Sequence, residues 1–403
     1  MSKKKIIKII STIIGIILIL VILLSIYKNY RIKHAKKIVK LKTTELEVYS
    51  NVKLSDIIEK INGKLIDNPN INTKKLGKEK ITFKYINNDN IKVEYTINLN
   101  IKDTTPPIIS LINYYIVTRG EKGNIEKELF CGDNYDPNPK CYLKGDYDLN
   151  KVGTYSVEFI GKDSSNNTST HKMNIIVKEK NKSSKSQDSQ ENNVEYTNFN
   201  DVIKKYKTKK TEIGIDVSHW QGDIDFNKVK SSKVEFAYIR VGRGNGIGKD
   251  YILDDKFKTN IKGFNKVGIP VGVYFYSSAN SLNDARREAK WILKQIKKYD
   301  VSLEVVFDWE NWDDFQKYNL SFYNLTEVAN EFSKTIEKAG YKSMVYSSKN
   351  YLESMWYDIN SDVFLAHYTD KTDYKGKYKV WQICNNGKVK GIKSSVDIDV
   401  RYK

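Results

Sequence analysis

Two carboxylates stand one residue apart at the end of an apolar run, Leu303-Glu304-Val305-Val306-Phe307-Asp308-Trp309-Glu310. The β-branched content predicts a strand over Val305–Trp309. Successive strand side chains point to opposite faces, so Asp308 and Glu310 project from the same one. Paired acids at a strand end suit glycosidic bond cleavage, in which one carboxyl donates a proton while another stabilises charge. Asp216 ends an early strand in Gly214-Ile215-Asp216-Val217-Ser218-His219-Trp220-Gln221-Gly222, and Asp397 lies in the closing run Val396-Asp397-Ile398-Asp399-Val400. Tyr274, Tyr276, Tyr368 and Trp381 crowd the same strand ends; aromatic faces with polar tips suit sugar rings and their hydroxyls. His219 and His367 lack the spacing of metal ligands, and no metal or cofactor is implied.

The elements that must position these groups run from Thr211 to the end of the chain. Strands are expected at Ile213–Val217, Phe236–Val241, Val271–Tyr276, Val305–Trp309, Ser343–Tyr346, Val363–His367, Tyr378–Ile383 and Val396–Val400. Helical patterns fall between the early ones, at Leu253–Lys266, Leu282–Lys297 and Leu325–Ala339, the last closed by Gly340 as a C-cap. Strands alternating with helices predict a parallel α/β sheet, doubly wound or closed. Eight strands favour an abbreviated TIM-like barrel, since the region is shorter than the usual ~250 residues and later connections leave little room for helices. The Gly-rich stretch Gly242–Asp250 fits neither a P-loop nor a dinucleotide fingerprint and reads as a flexible connection over the cleft.

Six ordered segments in this region resemble the lysozymes of glycoside hydrolase family 25: Gly214–Gly222, Ile269–Ser277, Phe307–Glu310, Leu365–Tyr368, Val380–Ile383 and Val396–Val400. The resemblance covers about half of the chain. It implies a muramidase that hydrolyses the β-1,4 bond between N-acetylmuramic acid and N-acetylglucosamine in peptidoglycan. It makes Glu310 the general acid, with Asp308, Asp216 and Asp397 lining the cleft. Asp399 departs from the family, which usually carries Asn there, and Cys384 stands in place of a more usual Tyr-Ser pair.

The N-terminal half speaks to location. Lys3, Lys4, Lys5 and Lys8 precede an uncharged run, Ile9–Tyr27, that as a helix spans roughly 30 Å, enough for one bilayer crossing. No small-x-small cleavage site comes after it, which favours an uncleaved anchor over a signal peptide. Lys28, Arg31, Lys33, Lys36 and Lys37 would by charge bias favour the far side inside. Long translocated domains override that bias, and a muramidase needs the wall, so the expected topology has the N-terminus inside and the enzyme outside.

Alternating strand patterns at Ile81–Tyr85 and Ile91–Ile101 echo those at Tyr155–Ile160 and Met173–Val177. With the Asp103-Thr104-Thr105-Pro106-Pro107 junction, they resemble tandem immunoglobulin-like modules of bacterial surface proteins, for which a spacer role is expected. Cys131 and Cys141, ten apart around a turn-rich segment, suit a disulfide outside the reducing cytosol; Cys384 reads as buried and inert. The polar core Lys182–Asn193 reads as a linker. The expected order is therefore a basic tail at 1–8, a transmembrane anchor at 9–27, immunoglobulin-like modules at 38–103 and 104–178, a linker at 179–208 and the barrel at 211–403.

The formal net charge is +19, but its lysines are spread through every segment. Nucleic-acid binding concentrates them on one face or tail, so no nucleic-acid partner is expected; attraction to a polyanionic wall accounts for the charge. The alternative from another class is a non-catalytic wall-binding or adhesin-like surface protein, against which the intact acids argue.

Overall fold

The computed structural model describes residues 3–121, 123–180 and 196–403. The expected linker core, Lys182–Asn193, lies outside the described residues. The chain divides into two units, Met1–Thr104 and Thr105–Lys403.

The first unit opens with the helix Lys3–Lys33, which is long and apolar enough to cross a membrane. It ends in a β-rich module whose four-stranded sheet runs Gly63–Leu65, Gly77–Asn87, Lys92–Lys102, Glu45–Glu47. Alternation places Phe83, Tyr85, Val93, Ile97 and Leu99 inward, where all are buried.

The second unit opens with a β-rich module of the same topology. Its sheet runs Lys140–Lys144, Gly153–Lys162, Thr168–Lys178, Tyr114–Thr118. In both modules the first three strands of this order pair antiparallel and the last pairs parallel, so the sequence echo corresponds to a repeated strand arrangement. Cys131 and Cys141 are joined by a disulfide.

The rest of the second unit is a closed barrel of eight strands: Thr211–Val217, Ala237–Gly244, Val271–Tyr276, Val305–Asp308, Ser343–Ser348, Asp362–Ala366, Val380–Lys388 and Val396–Tyr402. Seven run parallel. The eighth pairs antiparallel with both the first and the seventh, which corrects the expectation of an all-parallel sheet. A short connection from Lys388 to Val396 cannot hold a crossover helix, so the last strand must return in the opposite sense.

Three long helices, Phe257–Lys266, Leu282–Ile296 and Phe322–Lys338, cover the first half of the barrel. Inside it lies a layer of Phe236, Tyr238, Val306, Met344, Phe364 and Val380, as close packing of a small barrel requires. The Gly-rich stretch is not a free connection. The second strand continues through Gly244 and folds back as a hairpin onto Tyr251–Leu253. Residues before the barrel also belong to it: Thr197–Asn198 pairs with the seventh strand, and the helix Phe199–Tyr206 buries Phe199 and Val202 in the barrel's outer core.

The β-module of this unit packs on the barrel beside the Asp308–Glu310 segment. Phe130 stacks on Phe322 with ring centroids 6.3 Å apart and meets Phe315 at 5.9 Å. The Phe322 amide donates to the Asp133 carbonyl at 2.9 Å. A Cβ on Gly132 would come within 2.7 Å of the Phe322 ring, so only glycine permits this approach.

Candidate active site

The fourth strand stops at Asp308, and Trp309 sets the course of the chain beyond it. Its indole is fully buried between Trp312 at 4.9 Å, Tyr318 at 5.1 Å and Phe315 at 5.8 Å, and its Nε1 donates to the Ala279 carbonyl at 3.3 Å. With Trp309 pinned into the outer core, its neighbours on the chain turn the other way. Asp308 and Glu310 both line a cleft of about 270 Å³ at the C-terminal end of the barrel, shared with Asp216, Asp397, Tyr274 and Tyr276. All four acids expected from the sequence meet there.

Asp216 and Asp397 are partners across the antiparallel pair of first and last strands, and their carboxyls are hydrogen-bonded to each other. Gln382 organises their surroundings. Its Nε2 donates to Asp216 Oδ2 at 2.8 Å, while its Oε1 accepts from the hydroxyls of Tyr346 and Tyr368, each at 2.9 Å. Tyr368 is thereby held beside the acids with its ring half-exposed.

Burial dominates the electrostatics. It pushes Asp216 well above the ordinary carboxylate range, with the Asp397 charge adding to the effect. Asp308 rises for the same reason, helped by Glu310 and Asp216 and opposed by Arg240. Asp397 is pushed up to about 7 by burial and the nearby Asp399. Glu310, although its side chain is exposed at the cleft mouth, is raised by the desolvation of its surroundings too. A value raised above the ordinary carboxylate range is the direction that proton donation to a leaving group needs.

Trp381 does not join the cleft. Val380 and Gln382 face the barrel interior, so strand alternation sends Trp381 outward. It is buried against Tyr206 at 5.6 Å, and its Nε1 donates to the His367 carbonyl at 2.8 Å. Four other residues belong to the site. Arg240 and Tyr346 line the cleft, as do Gln382 and Trp220. Arg240 is held by a bond from Nε to Asp254 Oδ2 at 2.9 Å, and the same carboxylate lies 3.0 Å from His219 Nδ1. Two of these were findable by alternation, because Arg240 follows the inward Tyr238 by two residues and Tyr346 follows Met344. Trp220 is 72% exposed beside His219, ring centroids 4.4 Å apart, and offers a bare aromatic face.

Residues 215–392 match the family model for glycosyl hydrolases family 25. The C-terminal domain is of the family 25 type. The chain is similar to an autolytic lysozyme of Clostridium acetobutylicum, 27% identical over 192 residues, covering 46% of this chain and 54% of the relative. It is also similar to lysozyme M1 of Streptomyces globisporus, 40% identical over 68 residues, 17% of this chain and 21% of the relative. Among solved structures it is similar to the modular autolysin LytC of Streptococcus pneumoniae in complex with a synthetic peptidoglycan ligand. That match has 26% identity and a TM-score of 0.44, over 61% of this chain and 56% of the other. The chain thus spans about half the length of the clostridial relative and of the pneumococcal structure. All four cleft acids fall on the barrel that carries the family 25-type match, although Asp397 lies five residues beyond its end.

Proposed function

We propose that this protein is a membrane-anchored N-acetylmuramidase that cleaves the β-1,4 bond between N-acetylmuramic acid and N-acetylglucosamine in peptidoglycan. The carrying observation is the convergence of Glu310, Asp308, Asp216 and Asp397 on one cleft of a family 25-type domain. The relatives named as lysozymes and an autolysin support the substrate.

Glu310 protonates the leaving oxygen. Asp308, buried on the cleft floor, either attacks the anomeric carbon or orients the acetamido group of the substrate to do so; two acids only two residues apart in the chain and lining one cleft favour substrate assistance with retention. Asp216 and Asp397 fix the opposite wall. Tyr276, Tyr274 and Tyr368 contact sugar hydroxyls, and the exposed face of Trp220 stacks a ring at the mouth.

The helix Lys3–Lys33 anchors the chain, with the N-terminus cytoplasmic and everything beyond the helix at the wall. The two β-modules, bounded at 38–103 and 104–178, are read as immunoglobulin-like spacers, and the Cys131–Cys141 disulfide suits that compartment. Renatured protein in a gel cast with purified cell walls should clear a zone. A purified, folded protein that leaves the walls intact would favour the wall-binding reading.

A further inference from the structure

Glu288 occupies a core position of the Leu282–Ile296 helix, between Ala285 and Ile292 on its buried face. It is 1% exposed. An acid among apolar residues is costly unless its oxygens find partners, and these do. The Ser277 hydroxyl lies 2.5 Å from Oε2, and the Ser278 amide donates to Oε1 at 3.1 Å. The Ala279 amide donates in turn to Ser277 Oγ at 3.1 Å. Glu288 therefore organises the whole turn that leaves the third barrel strand.

That turn grips the neighbouring acid-bearing segment at three points. The Ser277 amide donates to the Asp308 carbonyl at 2.7 Å. Asn311 Nδ2 donates to the Ser277 carbonyl at 2.9 Å. Trp309 Nε1 donates to the Ala279 carbonyl at 3.3 Å. Trp309 and Asn311 flank Glu310 in the chain and Asp308 lies one residue further back, so its backbone is held on both sides by one turn. Glu288 itself is not among the cleft-lining residues.

We infer that Glu288 is a positioning residue, which fixes the Ser277–Ala279 turn and through it the placement of Asp308 and Glu310. Its role rests on the muramidase reading above, because it acts through the acids that reading makes catalytic. Displacing a proton donor by ~1 Å can cost about 10²-fold in rate while leaving substrate contacts elsewhere untouched. Burial pushes Glu288 up to about 8, so near neutrality it sits in the core as an uncharged acid. The ionisable groups that bear on it are Asp284 and Arg287 of its own helix, Tyr251 of the hairpin strand and Tyr318 after the Asp308–Glu310 segment.

The test compares wild type, E288L, E288Q and S277A as full-length protein in detergent, on purified peptidoglycan. E288L and S277A should lose about tenfold or more in kcat with KM little changed. E288Q, which keeps an acceptor and a polar donor, should recover most of that loss. Amide hydrogen exchange over residues 305–319 should quicken in E288L and S277A whether or not any substrate is cut. S277A removes a single hydroxyl and covers the case in which E288L does not fold. Exchange and kcat at wild-type levels in S277A, or equal losses in E288Q and E288L, would overturn the assignment. A wild type that cuts no peptidoglycan would instead sink the muramidase reading, and the exchange comparison would still decide the role of Glu288.

Discussion

Asp216 and Asp397 face each other across the antiparallel pair of first and last barrel strands and share a hydrogen bond. Because the last strand returns antiparallel, an acid from inside the first strand and one near the start of the last arrive at the same height. An all-parallel barrel would put the start of its last strand at the opposite end from the end of its first. The reversed strand is thus what completes the four-acid cleft.

This pairing bears on the pH dependence. Glu310 must carry a proton to act as the acid, and its value is raised, so the rate should persist above the ordinary glutamate range before falling. Asp397 ionises at about 7, and its negative charge favours retention of a proton on Glu310. Asp397→Asn should therefore move the alkaline limb of the kcat profile to lower pH. A limb that stays in place would separate Asp397 from the proton donor.

Glu310→Gln should cut activity by at least ~10²-fold through loss of the proton donor. The fold should be unaffected, since Glu310 opens to solvent at the cleft mouth. Circular dichroism and turnover on peptidoglycan check both halves. Near-wild-type turnover in this variant, and also in Asp216→Asn and Asp308→Asn, would remove the site assignment.

Asp399 is fully buried with neither carboxyl oxygen hydrogen-bonded, and burial, then Asp216, raises it well above its ordinary value. A raised acid stabilises the fold fully only below its unfolded value of ~3.9; that contribution is lost as pH rises towards the folded value. Asp399→Asn should remove the dependence. Unfolding free energies of the two proteins from denaturant titrations should diverge as pH rises above ~4, by up to ~1.4 kcal/mol per pH unit, with the Asn variant the more stable. Parallel curves would show that Asp399 finds a partner in solution.

The Cys131–Cys141 bridge closes a short loop next to Phe130 and Gly132, which pack on Phe315 and Phe322 of the barrel. Its removal should cost the module roughly 2–3 kcal/mol. In protein recovered from cells, alkylation after denaturation without reductant should label Cys384 alone. Labelling of all three cysteines would argue against both the bridge and export.

Much of the barrel and its cleft is legible in the chain, and the reasons differ by element. The barrel strands announce themselves by β-branched runs, and the spacing of Asp308 and Glu310 fixes their common face. Trp381 is misplaced by sequence for want of a phase: its motif does not say which of Trp381 and Gln382 faces inward, and only packing against Tyr206 settles it. The antiparallel return is hidden because strand direction leaves no mark on composition. The contact of Phe130 with Phe322 joins residues nearly two hundred positions apart, and no local pattern reports it. Glu288 reads in sequence as one more polar residue on an amphipathic helix.

The central claim is which bond the cleft cuts, and mass spectrometry of purified peptidoglycan after digestion tests it most directly. Fragments ending in a reducing N-acetylmuramic acid, formed by wild type and absent with Glu310→Gln, are the predicted result. Fragments ending in a reducing N-acetylglucosamine, or products cut only in the peptide stems, would contradict it.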